Sequence, residues 1–282
     1  MQLKQKLLST TINGLAYFLP AVSARISYRL WTSTHRHKMP DKEQTAFNQA
    51  QKQKLTVDGM QIMTYSWFFD EKRPIVLLLH GWNGRGTQLC AFLPALEAAG
   101  YSVLAFDAYG HGLSEGDHTN ILQTSAIIKK LALTYGDFFA MIGHSFGAMA
   151  AVNAINSGVN CKKLVAISPP TEFSALLLTF SNFLGLNTKA TSLLENYVLK
   201  KYAIESFESI SITGIAPHMN IPSLFVHDEN DDRVPLSQSQ KAAQLWPGGK
   251  LHITKGLGHV RILRKLAVVS TVVRFLDGEC ST

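Results

Sequence analysis

The sequence predicts an α/β fold: a mostly parallel sheet flanked by helices, with a small helical cap. Three observations support this prediction. From residue 55 onward, short apolar runs alternate with helical patterns, which is typical of strand–helix–strand units. The run at 75–79 (IVLLL) is apolar on both faces, as a buried parallel strand requires. The interval 169–217 interrupts the alternation with crowded Phe and Leu residues and no strand pattern.

Hydrophobic periodicity places the elements in chain order. Residues 41–54 are polar and predict a helix or linker, and 61–69 predict an edge strand. The strands and helices that follow are predicted at 75–79 (strand), 89–99 (helix), 103–106 (strand), 121–135 (helix), 138–142 (strand), 148–157 (helix), 164–167 (strand), 223–226 (strand), 237–245 (helix), 251–253 (strand) and 262–276 (helix). Right-handed crossovers between these strands cover both faces of the sheet with helices.

The same patterns divide the chain into an N-terminal arm, a core and a cap. The arm spans 1–54, the core 55–168 and 218–282, and the cap 169–217. We expect the cap to lie over the carboxyl edge of the sheet, where open α/β sheets bind ligands. Its apolar side chains Phe173, Leu177 and Phe180 are therefore predicted to line a substrate pocket.

The net charge of +7 belongs to the arm. Residues 1–54 hold nine Lys and Arg against two acids, so 55–282 carry 18 charges of each sign. A hydrophobic content of 46% excludes a disordered chain. A neutral core without a basic stripe argues against nucleic acid as a partner.

Three interpretations of the arm remain open. Lys4 and Lys6 precede a moderately apolar stretch and the small residues at 22–24, as in a signal peptide. Apolar residues at helical spacing, interrupted near Pro20, also predict an amphipathic helix that lies on an anionic membrane surface. The favoured interpretation is that this apolar face packs on the main domain. No apolar run reaches the length of about 18 residues that a membrane span needs.

The chain has three cysteines, Cys90, Cys161 and Cys280, with no CxxC spacing. An odd, scattered set argues against a disulfide framework or a zinc site and favours a reducing compartment. We therefore expect a cytoplasmic location, with an exported or peripheral membrane protein as the alternative.

A nucleophile motif stands between a predicted strand and a predicted helix. Residues 143–147 read Gly-His-Ser-Phe-Gly, which is G-x-S-x-G in its strand–turn–helix context. The sharp turn lifts Ser145 above the sheet, and the small residues at 143 and 147 let strand and helix approach closely. The dipole of the helix points at an anion developing there. Ser145 is the predicted nucleophile, and His144 beside it is a predicted pocket residue.

A serine hydroxyl needs a base that a third group holds in place. On this fold the expected order is Ser, then Asp or Glu, then His. His259 follows the last strand on a glycine-rich loop and is preferred as the base over the other downstream histidines: His218, His227 and His252.

The acid should lie on the loop after the strand at 223–226. Asp231, which precedes Asp232 and an Arg-Val-Pro helix entry at 233–235, is the preferred candidate. Asp232, Asp228 and Glu229 are the alternatives in the same loop, where a solvated acidic turn is the expected role of the residues not chosen.

Acyl transfer also needs two backbone N–H groups that converge on the oxyanion. Phe146, directly after the nucleophile, supplies one. The other is expected from the loop after the first buried strand, His80-Gly81-Trp82-Asn83-Gly84, and Trp82 is the choice. The Trp82 side chain is predicted to form the floor of the acyl pocket, and the alternative is that it only packs against its neighbours.

Taken together, residues 60–276 resemble the α/β-hydrolase superfamily. The resemblance rests on five segments: His80-Gly81, the segment 107–114 (DAYGHGLS), the elbow at 143–147, the D-x-x-V-P segment from Asp231 to Pro235, and Gly258-His259. It implies that Asp107, His111 and Ser114 shape a loop beside the pocket. The arm lies outside the general pattern and resembles extensions in a bacterial esterase-like branch. At position 228, where glycine is common in the superfamily, this chain has Asp.

The predicted function is a serine hydrolase that cleaves carboxylic esters or thioesters of short to medium acyl chains. A carbon–carbon hydrolase, a thioesterase and a cofactor-free haloperoxidase would use the same residues and remain alternatives. Ser145 argues against a haloalkane dehalogenase, which would place Asp there. A non-catalytic ligand-binding or membrane-surface scaffold is the alternative from another class. No metal or organic cofactor is expected, and the partner is a small-molecule ester or thioester.

Overall fold

Eight strands form one sheet in the computed structural model, which describes residues 2–279. The strands lie in the order β1-β2-β4-β3-β5-β6-β7-β8. Their bounds are Gln51–Val57 (β1), Met60–Trp67 (β2), Ile75–Leu79 (β3), Ser102–Phe106 (β4), Phe138–His144 (β5), Cys161–Ile167 (β6), Ser223–Asp228 (β7) and Gly249–Thr254 (β8). Strands β3 to β8 are parallel, whereas β2 is antiparallel to β1 and to β4. The predicted α/β fold is confirmed.

The edge of the sheet differs from the prediction. The segment 41–54, expected as helix or linker, is a helix over Asp41–Gln49 followed by strand β1. Because β1 pairs along its whole length with β2, the strand predicted as the edge lies inside the sheet. The first four residues of β1 are exposed, so the strand lacks the apolar alternation by which sequence reveals a strand.

Helices cover both faces of the sheet. Their bounds are Gln2–Phe18 (α1), Pro20–Thr32 (α2), Asp41–Gln49 (α3), Leu93–Ala98 (α4), Ile121–Tyr135 (α5), Phe146–Asn156 (α6), Phe173–Leu184 (α7), Thr188–Tyr202 (α8), Ile212–Ile215 (α9), Leu236–Leu245 (α10), Gly258–Arg261 (α11) and Leu266–Asp277 (α12). Helices α5, α6 and α10 pack on one face, and α3, α4 and α12 pack on the other. Strands β3 and β4 are buried throughout, which explains their apolar sequences.

The cap lies between β6 and β7 and consists of α7, α8 and α9 with short 3-10 turns. The two arm helices form a hairpin that packs chiefly on α8. Ile12 and Ala16 of α1 are buried against Leu184 and Ala190 of the cap. The arm therefore rests on the cap, a contact that its amphipathic pattern alone did not specify.

Among residues 2–279, no helix is long and apolar enough to cross a membrane. Cys90 and Cys161 are free thiols, and burial raises the pKa of both. Cys280 lies outside the described residues.

Candidate active site

Ser145 occupies a strained turn between β5 and α6. Its φ of 50° lies in the left-handed region, which non-glycine residues rarely adopt outside functional sites. The Ser145 N–H donates to the Ile167 carbonyl at 2.9 Å, so the strained turn is tied to β6. Although Ser145 is the N-cap of α6, its hydroxyl makes no capping hydrogen bond. The hydroxyl is therefore free for chemistry.

The small residues around Ser145 are required by close packing. A Cβ on Gly147 would lie 2.6 Å from the carbonyl oxygens of Leu79 and His80, and one on Gly143 would lie 2.5 Å from Ala148 Cα. These distances are shorter than real Cβ contacts. Glycine at both positions lets α6 start directly against the end of β3.

Asp231 and His259 are hydrogen-bonded. His259 Nδ1 lies 2.8 Å from Asp231 Oδ2, and the carboxylate is fully buried. Oδ1 of the same carboxylate accepts the backbone N–H groups of Arg233 at 2.9 Å and Val234 at 3.0 Å. Because a carboxylate can only accept, the His259 proton on Nδ1 is directed toward Asp231 and Nε2 is left as a base.

A second histidine contacts the same carboxylate. His227 is fully buried, and its Nε2 lies 2.9 Å from the Val234 carbonyl and 3.4 Å from Asp231 Oδ2. Burial alone would raise the pKa of Asp231, but hydrogen bonds from His227, His259 and the backbone N–H groups of Val234 and Arg233 outweigh it and lower the pKa. Asp231 is thus held as a carboxylate. The sequence leaves His227 as an alternative base, whereas in the structure His227 contacts the carboxylate of Asp231.

Asp228 holds the loop that carries His259. Its buried Oδ1 accepts the N–H groups of Gly258 at 2.9 Å and Asn230 at 3.0 Å. Oδ2 accepts the Leu257 N–H at 3.0 Å and the Thr254 hydroxyl at 2.7 Å. Burial opposes ionisation, but these four hydrogen bonds prevail and lower the pKa of Asp228. Asp228 is therefore a buried clamp across the loop, and not part of the solvated acidic turn expected of the acids not chosen.

The remaining acids and histidines are not hydrogen-bonded to this pair. Asp232 is exposed, and Glu229 forms an ion pair with Lys255 at 2.8 Å. His218 is exposed, and His252 is half-buried on β8. In the part of the chain that the structure describes, none of these four side chains forms a hydrogen bond or an ion pair with His259 or Asp231.

His144 links the nucleophile to the base. Its ring lies against that of His259, with centroids 4.8 Å apart, and its Nε2–H donates to the His259 carbonyl at 2.9 Å. Burial, reinforced by the neighbouring His259, lowers the pKa of His144 to about 3. This neutral contact brings residues 144–145 beside His259. Within residues 2–279, however, no hydrogen bond joins the Ser145 hydroxyl to His259, and catalytic hydrogen bonds are often long in unliganded enzymes.

Two backbone N–H groups near the nucleophile lack an acceptor. Trp82 and Phe146 line the same cavity as Ser145, and neither N–H group forms a hydrogen bond among the described residues. The two side chains meet edge to face, with ring centroids 5.1 Å apart. A Cβ on Gly81 would lie 3.3 Å from Ser145 Cβ, so the Trp82 loop lies next to the nucleophile.

Two neutral histidines fix the Trp82 loop. His111 Nε2 accepts the Asn83 N–H at 2.9 Å, and His80 Nε2 accepts the Ala108 N–H at 3.0 Å. Each ring donates from Nδ1 to a backbone carbonyl. Burial is the main cause that lowers the pKa of His80 to about 4 and that of His111 to about 3. Both rings therefore stay uncharged acceptors of these N–H groups.

The segment 107–114 braces the same loop from outside. Asp107 accepts the Gly86 N–H at 2.6 Å, the Leu113 N–H at 2.8 Å and the Tyr65 hydroxyl at 2.8 Å. The Ser114 hydroxyl donates to the Asp107 carbonyl at 2.6 Å. This network fits the loop-shaping role that the resemblance implied for Asp107, His111 and Ser114.

A cavity of about 260 Å³ opens beside Ser145. No lining residue is charged: Trp31, Thr32, Trp82, Thr119, Asn120, Ile121, Ser145, Phe146, Pro170, Phe173, Leu176 and Phe180. The wall is thus built jointly by the core, the cap and the arm.

The cavity wall matches the expected pocket only partly. Trp82, Phe173 and Phe180 lie on it, as expected. Leu177 does not, because its side chain turns away into the core below the cap. His144 does not, because its ring is turned toward His259. His259 itself borders a separate surface pocket near Asp232.

The sequence did not predict that residues of the arm line the cavity. Trp31 of α2 packs edge to face on Phe173, with centroids 5.3 Å apart. Asn120, the N-cap of α5, also lines the cavity, and its amide donates to the Tyr202 hydroxyl at 2.8 Å. No local signal marks these residues, since they meet only through tertiary packing. Among residues 2–279 there is no cluster of three or more His, Cys, Asp or Glu that could hold a metal ion.

Comparisons with known proteins extend these observations. A profile of the alpha/beta hydrolase family matches residues 76–271. The chain is 24% identical over 251 residues to the non-heme chloroperoxidase CPO-A1 of Kitasatospora aureofaciens, which covers 72% of this chain and 90% of that protein.

Two solved structures are similar in fold. Est1E of Butyrivibrio proteoclasticus, bound to ferulic acid, has a TM-score of 0.65 and 22% identity, covering 80% of this chain and 98% of that one. A membrane phospholipase A, a bacterial virulence factor, has a TM-score of 0.61 and 18% identity, covering 99% of this chain and 98% of that one. The second similarity extends over the arm, whereas the family profile starts at β3.

Proposed function

The chain belongs to the alpha/beta hydrolase family, and from this premise we propose that it is a serine hydrolase of carboxylic esters. Ser145 is the proposed nucleophile, His259 the base and Asp231 the group that orients the base. Two observations together carry the proposal. Ser145 has a strained backbone and a hydroxyl that makes no capping hydrogen bond, and a buried hydrogen bond of 2.8 Å joins Asp231 to His259.

In the first half-reaction, Ser145 Oγ attacks the ester carbonyl while His259 Nε2 accepts the hydroxyl proton. Asp231 stabilises the imidazolium through Nδ1–H. The oxyanion is placed against the N–H groups of Trp82 and Phe146, each of which is expected to contribute about 3 kcal/mol of transition-state stabilisation. His259 then protonates the leaving alcohol, which departs from an acyl-enzyme.

In the second half-reaction, water attacks the acyl-enzyme carbonyl. His259 removes a proton from the water, a second oxyanion forms at the same donors, and Ser145 leaves with the proton returned by His259. The fixed, neutral His80 and His111 keep the Trp82 loop in one position through both steps. No step needs a metal or an organic cofactor.

The cavity supports an uncharged substrate, the ester of an aliphatic or an aromatic acid. Its lining lacks charged side chains, and a volume of about 260 Å³ is below the range of roughly 300–1,000 Å³ typical of drug-sized ligands. Est1E, a neighbour in fold, binds ferulic acid, which is an aromatic acid. We therefore propose esters of short to medium acyl chains or of aromatic acids.

The test is a panel of p-nitrophenyl esters of increasing acyl length, together with acyl-CoA thioesters, assayed on the wild type and on Ser145→Ala. We expect turnover of the esters and a loss of about a million-fold in kcat in the variant. A fluorophosphonate probe should label the wild type and not the variant. Absence of both Ser145-dependent turnover and labelling would exclude the proposal, and turnover of the thioesters alone would replace it with a thioesterase.

A further inference from the structure

A stretch of six apolar or aromatic residues lies exposed where the two arm helices meet. This stretch, residues 17–22, is named the apolar corner. Phe18 is 84% exposed, Tyr17 60%, Leu19 53% and Val22 39%. Large side chains are normally exposed singly on a soluble protein, whereas a contiguous exposed patch marks an interaction site.

The residues of the corner are not needed for the packing of the arm on the cap. The face of α1 that contacts the cap is filled by Ile12 and Ala16, and the buried face of α2 by Ser23, Ala24 and Ser27. Pro20 is the first residue of α2 and disfavours helical backbone at Leu19, whose ψ of 65° separates the two helices. Polar residues would make the same turn, so the apolar corner needs a partner to account for it.

Cations share the exposed faces of the arm with the corner. Residues 1–40 contain six Lys and Arg and no acid. The Lys189 ammonium lies 4.3 Å from the Tyr17 ring centroid, and Arg25 follows Val22 by one helical turn on the exposed face of α2. Lys4 shares the exposed face of α1 with Phe18. No described carboxylate forms an ion pair with Lys4, Arg25 or Lys189.

We propose that the apolar corner inserts into an anionic lipid surface. Phe18 and Leu19 are suited to the boundary of headgroups and acyl chains, and Tyr17 to the headgroup level. Lys4, Arg25 and Lys189 then face the anionic headgroups. A second copy of this chain fits less well, because a two-fold contact through the corner would bring two sets of cations together.

The same helix connects this surface to the cavity. Val22 and Trp31 are nine residues apart on α2, which corresponds to roughly 14 Å along the helix axis. Trp31 lines the cavity beside Ser145. Docking through the corner therefore holds the cavity near the lipid surface, whatever reaction takes place there.

The test is flotation of the full-length protein with vesicles of phosphatidylcholine alone or mixed with phosphatidylglycerol. We expect binding to the mixed vesicles that weakens with salt. The double variant Phe18→Ser/Leu19→Ser should lower the partition coefficient by at least about tenfold. The double variant Lys4→Gln/Arg25→Gln should bind mixed vesicles several-fold more weakly, with little change on phosphatidylcholine.

The matched control is Leu133→Ser/Leu266→Ser, which removes two equally exposed leucines (76% and 78%) from other faces. It should bind as the wild type does. All variants should keep the wild-type melting temperature and the same turnover of a soluble ester, which separates this test from that of the catalytic proposal. Equal vesicle binding by the corner variant and the control overturns the proposal. So does a dimer, measured by light scattering, that dissociates only in the corner variant.

Discussion

Asp231 Oδ2 and His259 Nδ1 lie 2.8 Å apart, and the same oxygen lies 3.4 Å from His227 Nε2. One buried carboxylate oxygen therefore faces two imidazole N–H groups. The other oxygen is fixed by two backbone N–H groups. The carboxylate cannot be turned without losing hydrogen bonds on both sides.

The first prediction concerns Asp231→Asn. The two backbone N–H groups will hold the amide oxygen at the Oδ1 position, so the amide N–H₂ faces His259 Nδ1. His259 must then carry its proton on Nε2, where it cannot accept the proton of Ser145. We expect kcat for a p-nitrophenyl ester to fall by about 10⁴-fold, while KM changes little.

Asp232→Asn is the matched control, because Asp232 is the exposed neighbour in the same loop. It should stay within about twofold of the wild-type kcat. A large loss in Asp232→Asn together with normal activity in Asp231→Asn would reverse the assignment of the acid.

The second prediction concerns Asp228→Asn. Three of the four groups around the Asp228 carboxylate are backbone N–H groups, which can only donate, so the amide N–H₂ faces at least one of them in either orientation. We expect the free energy of unfolding to fall by about 2–4 kcal/mol from unsatisfied buried donors. Displacement of the loop before His259 should lower kcat by up to about 100-fold, because a misplacement of about 1 Å in a catalytic group has an effect of that size.

Asp228→Asn is distinguished from Asp231→Asn by its pattern of effects. Asp228→Asn should lower the melting temperature strongly and kcat moderately. Asp231→Asn should lower kcat strongly and the melting temperature moderately. Circular dichroism melts and steady-state kinetics on the same samples measure both. A normal melting temperature for Asp228→Asn would show that Asp228 does not clamp the loop.

Much of this fold could be predicted from the sequence because its signals are local. The buried strand β3 is apolar on both faces, and the elbow at 143–147 requires its glycines within five residues. Asp231 and His259 follow from chain order on this fold. At Asp228, the sequence showed the departure from glycine, but its four partners are visible only in the structure.

Other features depend on contacts that no sequence window contains. Strand β1 is polar and exposed, and it is a strand because β2 pairs with it. Trp31 is one apolar residue among several on an amphipathic helix, and only the packing of α2 on the cap brings it to the cavity. The cavity wall was therefore predicted on the cap side and missed on the arm side.

The third prediction concerns acid stability. An unfolded histidine binds a proton near pH 6.5, whereas buried His80, His111 and His144 do so only at about 4, 3 and 3. Above pH 6.5 they are neutral in both states and stability is full. As the pH falls below that value, the unfolded state binds more protons, so the free energy of unfolding decreases by about 1.4 kcal/mol per pH unit for each histidine. The depressed pKa values of Asp228 and Asp231 add a further loss below about pH 4.

Urea unfolding between about pH 7 and pH 4 measures this slope. In His111→Gln, the side-chain amide oxygen still accepts the Asn83 N–H but cannot titrate. The slope should become shallower by about one histidine's share, 1.4 kcal/mol per pH unit. Equal slopes in variant and wild type would mean that His111 is protonated in the folded protein.

The fourth prediction concerns Trp31→Ala in the arm. Trp31 packs on Phe173 at 5.3 Å and closes the cavity on the arm side, so removing the indole enlarges the space beside Ser145. We expect kcat/KM for the shortest p-nitrophenyl esters to fall by roughly tenfold as acyl contacts are lost, and the preferred acyl chain to become longer.

Tyr17→Ala is the control, because it removes an aromatic ring from the same arm at a 60% exposed position outside the cavity. It should keep the wild-type chain-length profile on soluble esters. An unchanged profile in Trp31→Ala would mean that the acyl group binds elsewhere and that the arm has no part in substrate selection.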